Sequence, residues 1–233
     1  MKPLLNMLLI AASLLAALSA RAQEWMMALD MSTITDRSIP STKNINRSAQ
    51  SSPASPASFS YTPTPALKQQ VVVNYVKHIK PQNPLLAKDI LGADYNKGYG
   101  LLNKGTGLQE NNAADVVASF MLLGYRIIND LWDPSGVINV SRSRAVRAQV
   151  AGVLAHHPKM TTPAGWAQVG EQFKLQNMLI LDEWGKVGTV EKLFQSGRLI
   201  PYQKAVATLF KNRYGLDITQ LKLTDQGFVK NER

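Results

Sequence analysis

The 233-residue chain contains no cysteine. This absence excludes disulfides, thiol catalysis, cysteine-ligated zinc and the lipidated cysteine of a bacterial lipoprotein. Because no covalent cross-link restricts the unfolded chain, the folded state must depend on an ordinary hydrophobic core.

The motifs of nucleophilic catalysis and of phosphate binding are also missing from the sequence. It has neither a G-x-S-x-G elbow nor an S-x-x-K sequence with its partner motifs. The glycines within residues 98–107 follow no strand pattern, and their spacing matches no phosphate-binding loop. The sequence therefore favours a protein that is not an enzyme, without deciding the question.

Histidine is scarce, with three residues in the chain. His156 and His157 are adjacent near the predicted end of a helix, where neighbouring side chains point about 100° apart and do not converge on one ion. His78 lies far from them in the sequence. We therefore predict no metal site, and no motif indicates a cofactor.

One apolar run, at residues 4–18, is long enough to suggest a targeting or membrane segment. Lys2 precedes this run, and residues 20–22, ARA, fit the small-residue rule for cleavage. The run is shorter than the roughly 20 residues that span a bilayer, which favours a signal peptide over a membrane helix. We predict a signal peptide at residues 1–22 and a mature protein in the periplasm or outside the cell, without an integral membrane span.

Serine, threonine, asparagine and proline dominate residues 32–60, with SSPASPAS at residues 51–58. A segment this poor in apolar residues cannot bury enough surface to offset the entropy of ordering it. The preceding EWMMAL segment is apolar enough to anchor on the domain or on a partner, and a frayed terminus is the alternative. We predict that residues 23–61 are a mostly disordered N-terminal segment and linker.

Residues 111–129, NNAADVVASFMLLGYRIIN, are the most apolar patterned segment after the signal peptide, and we predict that they form a central helix. Asn111 or Asn112 can cap its start, and Asp115 places negative charge in the first turn. Apolar residues continue around most of its circumference, including Phe120, which is typical of a helix inside a bundle.

Further helices are predicted on both sides of the central helix. The pairs Thr64-Pro65, Asn83-Pro84 and Thr162-Pro163 are start signals, because each combines a capping side chain with a proline in the first turn. Another helix should run from Pro201 to Tyr214. The predicted fold class is all-α, a single bundle of about six helices within residues 62–233.

Several local features are also predicted. Ser141 or Ser143 should cap one helix, and Gly185 and Gly188 should interrupt the long helix that begins at Pro163. A shorter helix should follow at residues 190–195. The glycines within residues 98–107 should form a loop, and the tail at residues 216–229 should be irregular apart from a turn at residues 224–227.

The formal charge of the whole chain is +10. Loss of Lys2 and Arg21 with the signal peptide would leave 24 basic and 16 acidic residues, a charge of +8. For an exported protein, anionic lipid headgroups, cell-wall polymers or acidic proteins are more plausible partners than nucleic acid. A solvated basic surface without a specific partner is the alternative.

Three carboxylates are weak catalytic candidates: Asp182 and Glu183 on the long helix, and Glu171 about three turns earlier. An apolar neighbourhood can raise the pKa of a carboxyl and prepare it as a general acid. Surface charge or an ion pair within the bundle is the structural alternative.

Basic residues supply the other candidate site. Arg142, Arg144 and Arg147 are clustered where a helix begins, although the dipole there favours acids, so they are candidates to bind an anion. A solvated face is the alternative. On the central helix, Arg126 and Asp130 stand one turn apart and are expected to form an ion pair.

Three segments carry a resemblance to a known family: TPTPALKQQVVVNYV, GLQENNAADVVASFMLLGYRIIN and YGLDITQLKLTDQGFV. In this order they resemble a family of exported bacterial proteins classed as a domain of unknown function. The resemblance spans residues 62–229 and implies an exported helical domain behind a variable linker, with no activity or site residues.

The sequence thus predicts an exported, non-enzymatic binding or structural protein of the cell envelope, with an anionic component or another protein as its partner. One competing hypothesis is a hydrolase of envelope polymers that uses the three carboxylates. Another is a secreted protein that acts on other cells, for which the linker would provide reach.

Overall fold

A computed structural model describes residues 59–81, 83–133, 136–157, 160–194 and 200–231. Within these residues it contains α1 (Pro65–Ile79), α2 (Pro84–Gly92), α3 (Tyr95–Leu102), α4 (Ala113–Ile128), α5 (Val140–Leu154), α6 (Pro163–Phe194), α7 (Ile200–Tyr214) and a hairpin of β1 (Leu221–Thr224) and β2 (Gly227–Lys230). The all-α fold class is confirmed. The predicted signal peptide and most of the predicted linker lie outside the described residues.

Helix α4 is the central helix that the sequence predicts. Its start is capped by Asn112, whose side-chain oxygen accepts hydrogen bonds from the backbone N–H groups of Ala114 and Asp115 at 3.1 and 3.3 Å. Thirteen of its residues are buried, and it packs against α5, α6 and α7. Phe120 is fully buried among the rings of Phe173, Phe210 and Tyr214.

The predicted helix starts at Pro65, Pro84 and Pro163 are confirmed. Thr64 and Asn83 cap α1 and α2 by accepting backbone hydrogen bonds. The prediction that Ser141 or Ser143 caps α5 is wrong, because Asn139 precedes the helix and its side chain accepts from the N–H of Arg142 at 3.0 Å.

The predicted glycine-rich loop is partly wrong, since α3 includes Gly98 and Gly100. Asp94 caps this helix by accepting from the backbone of Asn96 and Lys97. A Cβ atom at Gly98 would lie 2.5 Å from Cε of Met178 on α6. The glycine therefore lets α3 lie close to α6, and this contact compensates for its poor helix propensity.

The predicted interruption at Gly185 and Gly188 is also wrong, because α6 continues without a break to Phe194. It also absorbs most of the separate helix predicted at residues 190–195, of which residue 195 is outside the described part. A glycine costs only about 1 kcal/mol in a helix interior, which tertiary contacts easily exceed.

The C-terminal tail is ordered as a hairpin, whereas the sequence predicts an irregular segment with a turn at residues 224–227. That turn is confirmed, since Thr224 pairs with Gly227 across it. The side chain of Gln149 on α5 donates to the carbonyl of Phe228 at 2.8 Å and accepts from its N–H at 2.9 Å. This long-range contact attaches β2 to the bundle.

The packed region also includes residues 59–61, which the sequence assigns to the linker. Phe59 and Tyr61 are buried, and the N–H of Tyr61 donates to the carbonyl of Asn111 at 2.9 Å. The ring of Phe59 meets Trp166 edge-on. None of the described helices combines the length and hydropathy that a transmembrane span requires.

Candidate functional site

A cavity of about 350 Å³ lies beside α4, between the end of α3, the turn that follows it, and the segment leading into α5. We call it the α3–α4 cavity. Its apolar walls are Leu102, Leu122, Leu123, Ile138 and Val140. Its polar groups are Asn103, Lys104, Thr106, Ser119, Arg126, Asp133 and Asn139. The lining thus mixes five apolar with seven polar residues, and the volume falls within the usual range of small-molecule sites.

Arg126, on the last turn of α4, is the half-buried cation of the α3–α4 cavity. Its Nε and Nη2 lie 3.5 Å from the carbonyl oxygens of Leu131 and Trp132, and its Cζ lies 5.3 Å from the ring centroid of Trp184. These contacts hold the guanidinium beside the cavity. A guanidinium has five N–H groups, so these two long hydrogen bonds leave other N–H groups able to donate to a ligand.

Burial lowers the pKa of Arg126, and the nearby carboxylate of Asp133 opposes that shift. The group is still a cation at neutral pH, because an arginine loses its proton only at far higher pH. The lowered pKa means that burial disfavours the charged form, so a further negative charge nearby would stabilise it.

Lys104 and Asp133 are exposed groups at the border of the α3–α4 cavity. Together with Arg126 they give the cavity two cations and one carboxylate. The last turns of α3 and α4 and the start of α5 all border it, so the helix dipoles add no net positive charge. The net positive charge therefore comes from the side chains.

The sequence does not identify this site. The sequence predicts an ion pair between Arg126 and Asp130, and the structure contradicts this prediction. Asp130 ends α4 with a positive φ of 56° and accepts from the indole N–H of Trp132 at 2.8 Å. The cavity joins segments that are distant along the chain, so no local motif reveals it.

Glu171 is fully buried and its two carboxylate oxygens are occupied. Tyr61 donates to Oε1 at 3.0 Å, Tyr95 donates to Oε2 at 2.8 Å, and Nζ of Lys174 lies 2.7 Å from Oε1. Lys174 is itself buried and donates to the side chain of Asn111 at 2.9 Å. Glu171 therefore takes part in an ion pair within the bundle, which is the structural alternative to a catalytic role.

Burial also shifts the pKa of three members of this cluster, and it raises that of Tyr95. It lowers the pKa of Lys174, while the hydrogen bond and charge of Glu171 oppose the shift. It raises the pKa of Tyr61 far above the ordinary range, with the charge of Glu171 adding to the effect. The tyrosine is therefore a neutral donor and has no role as a base near neutral pH.

Asp182 and Glu183 lie on a different part of α6 from Glu171, about three turns away. Asp182 is exposed and Glu183 is buried, and both lie near the hydroxyl of Tyr202. The structure therefore does not bring the three candidate carboxylates together. Their catalytic role stays a prediction that no contact in the described residues supports.

The three candidate arginines of α5 point to different surroundings. Nε of Arg142 lies 3.0 Å from the carboxylate of Asp225 in the hairpin turn, and Nε of Arg147 lies 3.3 Å from that of Asp115. Arg144 is exposed. Because two of them already contact carboxylates, the α3–α4 cavity is the better candidate for an anion.

The histidines do not form a site with one another in the described part of the chain. His78 and His156 are exposed and His157 is buried. Among the described residues, no group of three histidine, aspartate or glutamate side chains is placed to hold a metal ion. Comparison with known protein families, with curated proteins and with solved structures finds no match to this chain.

Proposed function

We propose that this chain is an exported, non-enzymatic protein of the cell envelope that binds an anionic, partly apolar envelope component in the α3–α4 cavity. Export rests on the predicted signal peptide at residues 1–22. The ligand class rests on the chemistry of the cavity.

The observation that carries this proposal is the pairing of apolar walls with a cationic edge. Leu122, Leu123 and Ile138 present hydrocarbon to the cavity, while Arg126 and Lys104 supply positive charge. A ligand with a single phosphate or carboxylate and a short apolar body matches both features. Hydrogen bonds to charged groups contribute about 1.5–3 kcal/mol each, so the acid group would distinguish this ligand from a neutral molecule with the same apolar body.

Calorimetric titration of the exported protein with octyl phosphate, and with octanol as its neutral counterpart, tests the ligand class. We expect octyl phosphate to bind and octanol to bind at least about tenfold more weakly, because only the phosphate engages the cations. Equal affinity for the two probes, or no binding of octyl phosphate, would contradict the proposal.

Charge variants at the edge of the cavity test the location of the site. Lys104→Glu should weaken octyl phosphate binding by about tenfold or more, and Asp133→Asn should leave it unchanged or strengthen it. Lys204→Glu is the matched control, because Lys204 is exposed on α7 and does not line the cavity. An equal loss in Lys104→Glu and Lys204→Glu would show that only net charge matters.

The same mixture tests the non-enzymatic part of the proposal. Phosphorus NMR of protein with octyl phosphate should show one unchanged ester signal over a day. Release of inorganic phosphate that disappears in the Lys104→Glu variant would establish catalysis at the α3–α4 cavity and refute a purely binding role.

A further inference from the structure

Helices α1, α2 and α3 combine lysines with exposed apolar side chains. Residues 65–104 contain six lysines and two aspartates, with no arginine and no glutamate. Four of the six large apolar residues that are exposed in the described chain lie on the same three helices: Val73, Leu85, Leu91 and Leu101. A soluble surface more often scatters such residues singly among charges of both signs.

On α1 and α3 the apolar and basic residues are spaced by single helical turns. Val73 and Lys77 are four residues apart on the exposed side of α1. Lys97 and Leu101 repeat this spacing on α3, where Leu101 is 71 % exposed. Residues four apart share one face of a helix, so each helix presents an apolar group and a cation side by side.

Helix α2 shows the same combination more strongly. Leu85 is 76 % exposed and Leu91 is 57 % exposed, while Ala87 and Ile90 face the core. At 100° per residue, Lys88 falls between the two leucines on the outward side. A nine-residue helix thus turns two leucines, a lysine and the carboxylate of Asp89 away from the bundle.

Helices α1 and α2 are neighbours in the fold as well as in the chain, and α3 shares the support of α6 with α1. Helix α2 packs on α1, and both α1 and α3 pack on α6. We call their exposed residues Val73, Lys77, Leu85, Lys88, Lys97 and Leu101 the α1–α3 surface. Of the two aspartates in this region, Asp94 is used as the cap of α3, so Asp89 is the remaining carboxylate on the helices.

We infer that the α1–α3 surface docks on an anionic phospholipid bilayer. Lysines attract the headgroups, and the leucines gain free energy by entering the boundary between headgroups and acyl chains. A polysaccharide or another wall polymer would use the lysines but give the leucines no apolar environment. A protein partner is disfavoured because the cores of protein interfaces are depleted in lysine.

This inference is independent of the ligand proposed for the α3–α4 cavity. Lys104 borders that cavity and stays unchanged in every variant used to test the surface. Lys88, Lys97, Leu85 and Leu101 do not line it. Loss of octyl phosphate binding in Lys104→Glu therefore reports on the cavity, and loss of vesicle binding in variants of Lys88, Lys97, Leu85 or Leu101 reports on the α1–α3 surface.

The test is co-sedimentation of the exported, processed chain with two kinds of vesicle. One kind is pure phosphatidylcholine, and in the other about a third of the lipid is phosphatidylglycerol. We expect binding to the anionic vesicles alone. The double variant Lys88→Glu/Lys97→Glu should bind about tenfold more weakly, and the control Lys204→Glu/Lys222→Glu, with the same change of charge at exposed sites elsewhere, should lose much less.

The leucines provide the decisive variant. Leu85→Ser/Leu101→Ser removes two highly exposed apolar side chains, so folding should be preserved, and a melting curve verifies this. We expect its affinity for anionic vesicles to fall by about tenfold and its remaining binding to disappear in high salt. Unchanged affinity would overturn the inference, because binding would then be electrostatic only.

Two further outcomes would also overturn it. Equal losses in the two lysine double variants would mean that net charge, and not this surface, attracts the protein to lipid. Tighter sedimentation with purified cell wall than with anionic vesicles would assign the α1–α3 surface to a wall polymer instead.

Discussion

Tyr61 and Gly170 show how closely the segment at residues 59–61 fits against α6. A Cβ atom at Gly170 would lie 2.4 Å from the ring of Tyr61, so no larger residue fits without movement. The tyrosine hydroxyl reaches Glu171 over this glycine. Burial of the Glu171–Lys174 ion pair therefore depends on a segment that lies before the first helix.

Gly170→Ala should destabilise the protein by about 1–3 kcal/mol, because the added methyl group forces the ring of Tyr61 away. Urea unfolding measures the change. Gly185→Ala is the matched control, since Gly185 lies on the same helix with no atom within 4 Å of an added Cβ. The control should stabilise the helix by up to about 1 kcal/mol.

A double-variant experiment makes this prediction specific. In a Tyr61→Ala background the cost of Gly170→Ala should largely disappear, because the ring it collides with is gone. A cost that stays the same in that background would show that the methyl group disturbs something other than Tyr61.

Asp115 leads to a prediction about pH. Burial raises the pKa of its carboxyl above 3.8, although a hydrogen bond from the N–H of Gln109 and the charge of Arg147 oppose the shift. At pH values between 3.8 and the raised pKa, the carboxyl of Asp115 is mostly protonated in the folded state and mostly ionised in the unfolded state. The contribution of Asp115 to stability therefore falls as pH rises through that window.

Urea unfolding of the natural protein and of Asp115→Asn at a series of pH values tests this sign. The free energy of unfolding of the natural protein, minus that of the variant, should decrease as pH rises from below 3.8. The substitution also removes contacts of Asp115, which shifts this difference by an amount that does not depend on pH. Only the change of the difference with pH tests the prediction. A difference that increases with pH would show that Arg147 outweighs burial.

The sequence predicts the roles of residues that act on their own neighbours in the chain. Asn112 acts just before the start of α4 and Asp115 acts within its first turn, and a pattern of four residues is enough to recognise this. The ion pair of Asp115 with Arg147 joins two helices, and nothing local in the sequence indicates which helix faces which.

At the scale of whole elements, α4 organises the fold because it is apolar around most of its circumference. It packs against three other helices and buries Phe120 against rings from α6 and α7. Helix α6 is likewise buried around most of its circumference over residues 167–180, and the remaining helices bury narrower faces.

Phe120→Ala should lower the free energy of unfolding by about 3–5 kcal/mol, because it leaves a cavity among three aromatic rings that cannot close it fully. Chemical denaturation measures this, with Leu101→Ala on the exposed side of α3 as the control. The control should change stability by less than about 0.5 kcal/mol. A loss below about 1 kcal/mol for Phe120→Ala would refute the central position of α4.

The hairpin illustrates which elements the sequence does not predict. Its strands are four residues each, too short for an alternating pattern to stand out. Their attachment depends on Gln149, whose side chain bonds both backbone groups of Phe228 from a distant helix. Long periodic helices, by contrast, carry their own signal, as α1 and α4 do.

At the scale of the whole molecule, the basic charge predicted from composition is distributed in a way that composition does not reveal. Lysines outnumber acidic residues six to two within residues 65–104, whereas two of the three arginines on α5, Arg142 and Arg147, are paired with carboxylates from other elements. The overall charge of +10 is a property of the sequence, but the α3–α4 cavity and the α1–α3 surface follow from the fold.

Mapping the binding of octyl phosphate by amide chemical shifts tests the central claim most directly. Backbone signals of Gly105, Thr106, Ser119 and Asn139, which line the α3–α4 cavity, should shift together with saturation, and those of α7 should stay in place. In Lys104→Glu the same shifts should require about tenfold more ligand. Shifts centred on another part of the protein, or none at all, would contradict the assignment of this cavity as the binding site.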